Sequence, residues 1–114
     1  MKTAGAIVRA ILYLMCLVLF TSGFPMLSQK SPPRKYTVQI MNMQFNPAVL
    51  KVHKGDTVVF INKDMLTHDV TETSAQLWKS PALVGGKSWH MVASQSGGYY
   101  CSFHPVMKGQ ITVE

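Results

Sequence analysis

A short segment near the C-terminus carries three different metal-binding side chains. Cys101, His104 and Met107 are spaced three residues apart in the stretch YYCSFHPVMKGQ. A thiolate and an imidazole bind zinc, copper or iron, whereas a thioether is soft and neutral and adds little for zinc. We therefore expect the segment to bind a soft metal ion, and copper suits its donors well.

A second histidine is available in a separate stretch of the chain. His68 lies in NKDMLTHDV, well before Cys101. Two histidines, one cysteine and a weakly bound methionine are the ligands of a blue-copper electron-transfer site. The predicted site therefore holds one type 1 copper ion, and its predicted metal ligands are His68, Cys101, His104 and Met107.

The remaining histidines and methionines have simpler interpretations. His53 lies beside a turn in KVHKG, and His90 lies in KSWHMV, where no other ligand can be placed opposite it. We predict that both are ordinary core or surface residues. Methionines are common fillers of hydrophobic cores, which we favour over a thioether copper(I) site. The methionines concerned are Met41, Met43, Met65 and Met91.

Short strands must bring these ligands together, because no segment shows a convincing helical stripe. Residues 36–41 alternate between apolar and polar, and Thr57–Asn62 is apolar enough to be buried on both faces. Further strands are predicted over residues 48–52, 88–92, 99–103 and 110–114, and another starts over residues 68–71. Seven to eight such strands separated by turn signals predict an all-β fold, a Greek-key β-sandwich.

The N-terminal part of the chain is a targeting segment. Lys2 and Arg9 precede an apolar run from Ala10 to Phe20, and small residues follow. This pattern is typical of a signal peptide, predicted over residues 1–23, and the run is short for a membrane span of about 20 residues. A retained N-terminal anchor stays open as an alternative. Residues 24–34 are predicted to form a flexible arm, and residues 35–114 the folded domain.

Export has a consequence for the thiols. Cys16 lies inside the predicted signal peptide. Removal of the signal peptide therefore leaves Cys101 without a disulfide partner. A lone thiol in an oxidising compartment requires an explanation, and metal ligation supplies one. A buried inert cysteine is the alternative. We predict a periplasmic or otherwise exported protein.

The charge of the chain excludes one class of function and favours one kind of partner. The net charge is +6 for the whole chain, and removal of Lys2 and Arg9 reduces it to +4. The lysines are scattered, and no aromatic and basic residues interleave as in a nucleic-acid binder. A basic surface could favour an acidic protein partner. We expect no nucleic-acid partner, and a membrane association only if the N-terminal segment is retained.

From residue 35 onward the chain resembles the cupredoxins, and among them the small plastocyanin- and amicyanin-like proteins. The resemblance depends on FNPAVLKVHKGDTVVFINKD, on the stretch around His68 and on YYCSFHPVMKG. The loop, with two residues between successive ligands, is more similar to that of amicyanin than to that of plastocyanin, which is longer before the methionine. The resemblance implies that Cys101, His68 and His104 form a trigonal plane around copper, and that Met107 is a weak axial ligand.

The resemblance also implies how electrons leave the site. In the family, the second loop histidine, here His104, has an edge that reaches solvent through an apolar patch. The candidates for this patch are Pro105, Val106, Met65 and Leu66, and Lys63 and Lys108 could steer an acidic partner towards it.

One residue departs from the family pattern. Many members have an asparagine directly after the first histidine, where its side chain ties the two ligand loops together. Here that position is Asp69, and we expect its carboxylate to accept hydrogen bonds from Ser102 or from backbone amides.

The leading hypothesis is an exported mononuclear type 1 copper protein that shuttles single electrons between redox partner proteins such as a cytochrome, an oxidase or a reductase. The alternative is a carrier or copper-resistance protein that transfers the ion itself, and a colourless structural zinc domain is a third interpretation. We expect a monomer. We also expect that the protein is not an enzyme such as a multicopper oxidase or a nitrite reductase, because the residues of a second metal site are missing. If the N-terminal segment is retained, an accessory domain of a membrane oxidase stays open.

Overall fold

The computed structural model describes residues 4–19 and 23–114. These fall into two compact units, one ending at Ser31 and the other beginning at Pro32. The first unit contains helix α1, Ala4–Leu19, made largely of good helix formers such as Ala and Leu. Because α1 is apolar on nearly every side, its sequence shows no amphipathic stripe. Within the described ranges, no helix combines the length and apolarity that a membrane crossing requires.

The N-terminal predictions are only partly covered by the structure. Residues 21 and 22, next to the expected cleavage site of the signal peptide, lie outside the described residues. Residues 23–34 contain no helix or strand. The signal peptide and the flexible arm therefore stay predictions.

The second unit consists of eight strands in two four-stranded sheets, which confirms the predicted all-β sandwich. The strands are β1 Lys35–Met41, β2 Gln44–Asn46, β3 Val49–Val52, β4 Thr57–Asn62, β5 Thr71–Glu72, β6 Ser88–Val92, β7 Gly97–Tyr100 and β8 Lys108–Val113. The order is β2-β1-β4-β6 in one sheet and β3-β8-β7-β5 in the other. β1 runs parallel to β4 and β3 runs parallel to β8, and the other pairs are antiparallel.

Side-chain alternation along β4 shows how the core is filled. Val58, Phe60 and Asn62 are buried, whereas Val59 and Ile61 between them are only half-buried. The expectation that β4 is buried on both faces is therefore wrong. One face of this sheet packs on the core and the other faces outward, as is common where antiparallel pairs form a sandwich.

Tyr99 is at the centre of the aromatic core. Its ring packs edge-on against Phe45 and Phe60, with centroids 4.7 Å and 5.3 Å away. It also covers Gly109 on the neighbouring strand, where any side chain would collide with the ring. Burial raises the pKa of the Tyr99 hydroxyl, which has no hydrogen-bond partner. The close-packed aromatic side chains of the core therefore include Tyr99, two residues before Cys101.

The ligand-bearing residues lie just beyond the strand ends. β7 ends at Tyr100 and β5 begins at Thr71, so the predicted strands over residues 99–103 and from residue 68 are shorter than expected. Around His68 the backbone makes only an isolated bridge to Leu83. The sequence interpretation also missed β2, a three-residue strand that ends before Pro47.

Candidate metal centre

The donor atoms of three predicted ligands converge at one end of the sandwich. Cys101 Sγ lies 3.7 Å from Nδ1 of His68 and 3.9 Å from Nδ1 of His104. All three donor atoms lie within 4.8 Å of one another. The side chains of His68 and Cys101 are fully buried, and His104 is half-buried. Residues from two distant parts of the chain thus form one compact donor set.

The spacing of these atoms fits a single ion with trigonal geometry. Typical metal bonds are about 2.3 Å to sulfur and about 2.0 Å to an imidazole nitrogen. At an angle of about 120° such bonds place sulfur and nitrogen about 3.7 Å apart. The two separations of 3.7 Å and 3.9 Å agree with that value to within about 0.2 Å.

Tight backbone turns fold the C-terminal loop around the site. The His104 amide donates to the Cys101 carbonyl (3.2 Å), and the Met107 amide donates to the His104 carbonyl (3.0 Å). The Cys101 amide closes the loop by donating to the Met107 carbonyl at 3.1 Å. Met107 is buried with 2% of its surface exposed. The three-residue spacing noted in the sequence therefore corresponds to two successive turns that bring all three residues back to one place.

His68 is held from both its backbone and its ring. Its amide donates to the Leu83 carbonyl (3.1 Å), and the Leu83 amide donates back at 2.7 Å. On the ring, Nε2 lies 2.8 Å from Oδ2 of Asp64. A carboxylate on the outer nitrogen of a ligating imidazole fixes the tautomer and the ring orientation. With Nε2 as the donor to Asp64, the lone pair on Nδ1 is directed towards Cys101.

Asp64 itself is fixed by the hairpin between β1 and β2. Its carboxylate accepts hydrogen bonds from the amides of Asn42 (2.7 Å) and Met43 (3.0 Å). Both of these residues have left-handed backbone angles, with φ of 53° and 60°, so the hairpin turn benefits from such an anchor. Burial pushes the pKa of Asp64 upwards, but hydrogen bonds from Met43, His68 and Asn42 outweigh it and hold the pKa below its usual value.

Asp69 ties the two ligand-bearing segments together. Its Oδ1 accepts a hydrogen bond from the Ser102 amide at 2.6 Å, and its Oδ2 accepts one from the Ser102 hydroxyl. The Asp69 amide also points at Cys101 Sγ, 3.5 Å away. The expectation that an aspartate can replace the family asparagine as an acceptor is confirmed. It also places a buried carboxylate next to the thiolate ligand.

Exposed apolar side chains lie on both ligand-bearing segments, next in sequence to His104 and to Asp64. On the loop of His104, Phe103 and Val106 are 52% and 87% exposed, and Pro105 lies between His104 and Val106. Met65 and Leu66, which directly follow Asp64, are 100% and 54% exposed. These five residues are called the apolar patch below. Four of them were predicted, and Phe103 was not, because the sequence interpretation placed it in a strand.

The sequence and the fold are both similar to those of known copper proteins. A family model, the cupredoxin-like domain, matches residues 9–113. The chain belongs to the cupredoxin-like family. Amicyanin of Paracoccus denitrificans is 30% identical over 83 residues, which are 68% of this chain and 63% of that protein.

Solved structures of cupredoxins share the fold. A proline-to-phenylalanine mutant of amicyanin in the reduced state has a TM-score of 0.66 and 29% identity, over 70% of this chain and 82% of that one. A purple cupredoxin from Nitrosopumilus maritimus has a TM-score of 0.65 and 28% identity, over 69% of this chain and 99% of that one. Family membership and the donor set together give copper as the cofactor.

The cupredoxin domain keeps its other histidines away from this centre. His53 is exposed in the turn before β4, where its amide donates to Asp56 at 2.8 Å. His90 is exposed on β6 and pairs with Val59 of β4. In residues 4–19 and 23–114, the group formed by His68, Cys101 and His104 is the only cluster of its kind.

Sequence reasoning missed the polar support beneath His68. Asn62, fully buried at the end of β4, donates through its side chain to the carbonyls of Leu66 (2.7 Å) and Leu83 (2.8 Å). Its side-chain oxygen accepts a hydrogen bond from the Asp64 amide at 2.9 Å. The sequence did contain one signal for this support, because Asp64 precedes the candidate ligand His68 by four residues.

Proposed function

We propose that this protein is an exported mononuclear type 1 copper protein that shuttles single electrons between redox partner proteins. One observation carries the proposal: two imidazole nitrogens lie 3.7 Å and 3.9 Å from one buried thiol sulfur, the spacing of a trigonal site. Copper supplies one-electron chemistry when it is bound in such a site.

The four predicted ligands have distinct roles in this proposal. Cys101 would hold the ion through its thiolate, and His68 and His104 would hold it through Nδ1. Met107, buried on the same loop, would add a weak thioether ligand. With every position taken by a side chain, no place is left for a substrate, which supports a carrier of electrons over an enzyme.

The supports around the site suit rapid electron exchange. His68 is fixed by Asp64, and Cys101 is linked through Ser102 to Asp69. Side chains held in this way change position little when the ion gains or loses an electron. Whether protein strain or the intrinsic preference of copper–thiolate bonding sets such geometry is debated.

The two histidines differ in their access to a partner. His68 is fully buried, whereas His104 is half-buried on the loop that also carries the exposed Phe103 and Val106. Electrons therefore enter and leave through the edge of His104. A small apolar contact surface suits a redox encounter, which must release its partner quickly.

A visible spectrum tests the proposal. Titration of the purified domain with copper(II) should give an intense thiolate-to-copper band at one equivalent, and Cys101→Ala should abolish it. His53→Ala and His90→Ala serve as matched controls and should leave the band unchanged, since both side chains are exposed and remote from the site. A featureless spectrum from the unaltered protein would contradict the proposal.

Copper release separates the shuttle from an ion carrier. Three of the four proposed ligands are buried, which favours slow loss of the ion. We expect an excess of a copper(I) chelator to remove copper from the reduced protein far more slowly than it binds free copper(I). Complete stripping within the mixing time would favour a carrier.

Export and the identity of the partners follow from the N-terminal segment and the charge. We propose cleavage near residue 23, a periplasmic or equivalent location, a monomeric state and a cytochrome, oxidase or reductase as partner. Mass spectrometry of the protein recovered after secretion tests the cleavage, and a product that still contains Lys2 and Arg9 would indicate a retained anchor.

A further inference from the structure

Nearly all the acidic side chains of the domain are occupied inside it. Asp56 and Glu72 are buried, and each binds backbone amides, as Asp64 and Asp69 do beside the ligands. The donors to Asp56 are the amides of Arg34 and His53, and the donors to Glu72 are the amides of Ser74, Ala75 and Leu77 with the Ser74 hydroxyl. Of the acidic residues in this unit, only Glu114 is exposed.

The basic side chains show the opposite pattern, because every one in the unit is exposed. They are Arg34, Lys35, Lys51, Lys54, Lys63, Lys79, Lys87 and Lys108. Among the described residues, the ion pairs involve only the histidines His53 and His68, so none of these cations is paired with a carboxylate. The charged side chains exposed on this unit are therefore almost all cationic, although the net charge of the chain is modest.

Six of these eight cations lie in two groups of three, one at each end of the sandwich. Lys63 follows β4 directly, and Lys87 lies beside it, since its carbonyl accepts the Asn62 amide at 2.9 Å. Lys108 follows Met107 at the start of β8. These three lysines, called the rim lysines below, lie at the ligand end.

Three other lysines lie at the opposite end. Lys35 pairs with Thr57 at the start of β4, Lys51 pairs with Thr112 near the end of β8, and Lys54 lies in the turn before β4. Lys63 is six residues beyond Thr57, the partner of Lys35, so these two lysines are about 20 Å apart along β4 at about 3.3 Å per residue. Lys51 is nearer to the rim, because its partner Thr112 is four residues beyond Lys108 on β8, or about 13 Å. Both distances exceed the screening length of about 10 Å at 0.1 M salt, so the far-end lysines contribute less than the rim lysines to the field at the apolar patch.

We propose that the redox partner presents an acidic face to the apolar patch, and that Lys63, Lys87 and Lys108 form the cationic rim that attracts it. This inference rests on the proposed electron shuttle and adds the chemistry of the partner. An apolar contact around His104 brings the redox centres together, and the rim sets the rate and orientation of encounter. No exposed carboxylate is available near the rim to repel an acidic surface, because Asp64 and Asp69 bind donors inside the domain.

A pair of triple variants tests the inference. Lys63→Gln with Lys87→Gln and Lys108→Gln removes three charges at the rim. Lys35→Gln with Lys51→Gln and Lys54→Gln removes the same charge at the far end. All six side chains are exposed, so both variants should retain the visible copper band and the melting temperature of the unaltered protein.

Stopped-flow kinetics give the readout. The oxidised copper form is mixed with reduced cytochrome b5, an acidic haem protein, or with reduced cytochrome c, a basic one. At an ionic strength of about 0.1 M, where the screening length is about 10 Å, the rim variant should react with cytochrome b5 about tenfold more slowly than the unaltered protein, and the far-end variant no more than about twofold more slowly. The rim variant should react faster with cytochrome c, and added salt should abolish these differences.

The possible contrary outcomes are distinct. Equal slowing in the two triple variants, or none in either, would overturn the inference while leaving the electron shuttle in place. Rim-dependent binding to phosphatidylserine vesicles with an unchanged rate towards cytochrome b5 would assign the rim to a membrane surface and also overturn it. A copper-loaded protein that accepts no electrons from either cytochrome would overturn the proposed function itself.

Discussion

The two ligand-bearing segments of this domain differ in how many ligands they supply and in what holds them in place. Residues 101–107 supply three of the proposed ligands within one short loop, whereas residues 62–69 supply only His68. The short loop is held mainly by its own backbone turns. The longer segment is held by side chains, with Asn62 and Asp64 fixing the backbone and ring of His68.

The histidines of the two segments also differ in exposure to solvent. The ring of His68 is fully buried and its outer nitrogen is bound to Asp64. His104 is half-buried on the loop that also carries part of the apolar patch. In the proposed electron shuttle, His68 fixes the geometry of the site and His104 connects it to a partner. The same residue type can serve both tasks because its surroundings, and not its chemistry, differ.

Replacing each histidine by glycine should have the largest effect and tests this division directly. Both variants should lose the visible band. Exogenous imidazole should restore it readily in His104→Gly, because that position opens to solvent, and poorly in His68→Gly, because the vacated space is enclosed. We expect at least about a tenfold difference in the imidazole concentration required, equivalent to about 1.4 kcal/mol. Spectroscopic titration measures it, and equal rescue would contradict the division.

Asp64→Asn should have the next largest effect. Loss of the carboxylate weakens the fixation of His68 and of the Asn42–Met43 turn, and changes to such outer partners typically cost about 10-fold to 100-fold in metal affinity. A competition titration with a copper chelator measures the change. Asp56→Asn is the matched control, because that carboxylate also binds two backbone amides but lies at the far end. A similar loss of affinity in both variants would show a general effect of destabilisation.

The difference between the two segments also explains what the sequence could predict. The donors at 101, 104 and 107 are close together in the chain, so their residue types and spacing were enough to identify the short loop. Most of the strands were predictable from alternating or continuous apolar residues, although the three-residue β2 was missed. The network beneath His68 was not, because Asn42, Asn62 and Asp64 meet only through the pairing of β1 with β2 and β4. The near absence of exposed carboxylates was hidden for the same reason, since composition counts charges without showing which are buried.

Asp69→Asn should have a smaller effect that concerns the reduction potential. The carboxylate lies buried beside the thiolate ligand and favours the more highly charged oxidised ion. Because asparagine can still accept a hydrogen bond from the Ser102 amide, the loop tie survives in the variant while the charge is lost. We expect the potential to rise by a few tens of millivolts, where 59 mV is a tenfold change for a one-electron couple. Voltammetry measures it, and an equal or lower potential in the variant would contradict the expectation.

Glu72→Gln should leave copper binding unchanged and alter only the pH dependence of stability. Hydrogen bonds from the Ser74 hydroxyl and from the amides of Ala75 and Ser74 lower the pKa of Glu72 to about 2, from an ordinary value of 4.5. Because the pKa is lower in the folded state, the stabilisation is complete above the unfolded pKa and is lost as the pH falls from about 5 to about 2. The variant should therefore melt at a lower temperature than the unaltered protein at pH 7, and the two melting temperatures should converge in acid. Calorimetry of the copper-free proteins measures this, with the exposed Glu114→Gln as the control. A constant difference at all pH values would mean that the glutamate acts by its shape and not by its charge, unlike the carboxylates beside the copper ligands.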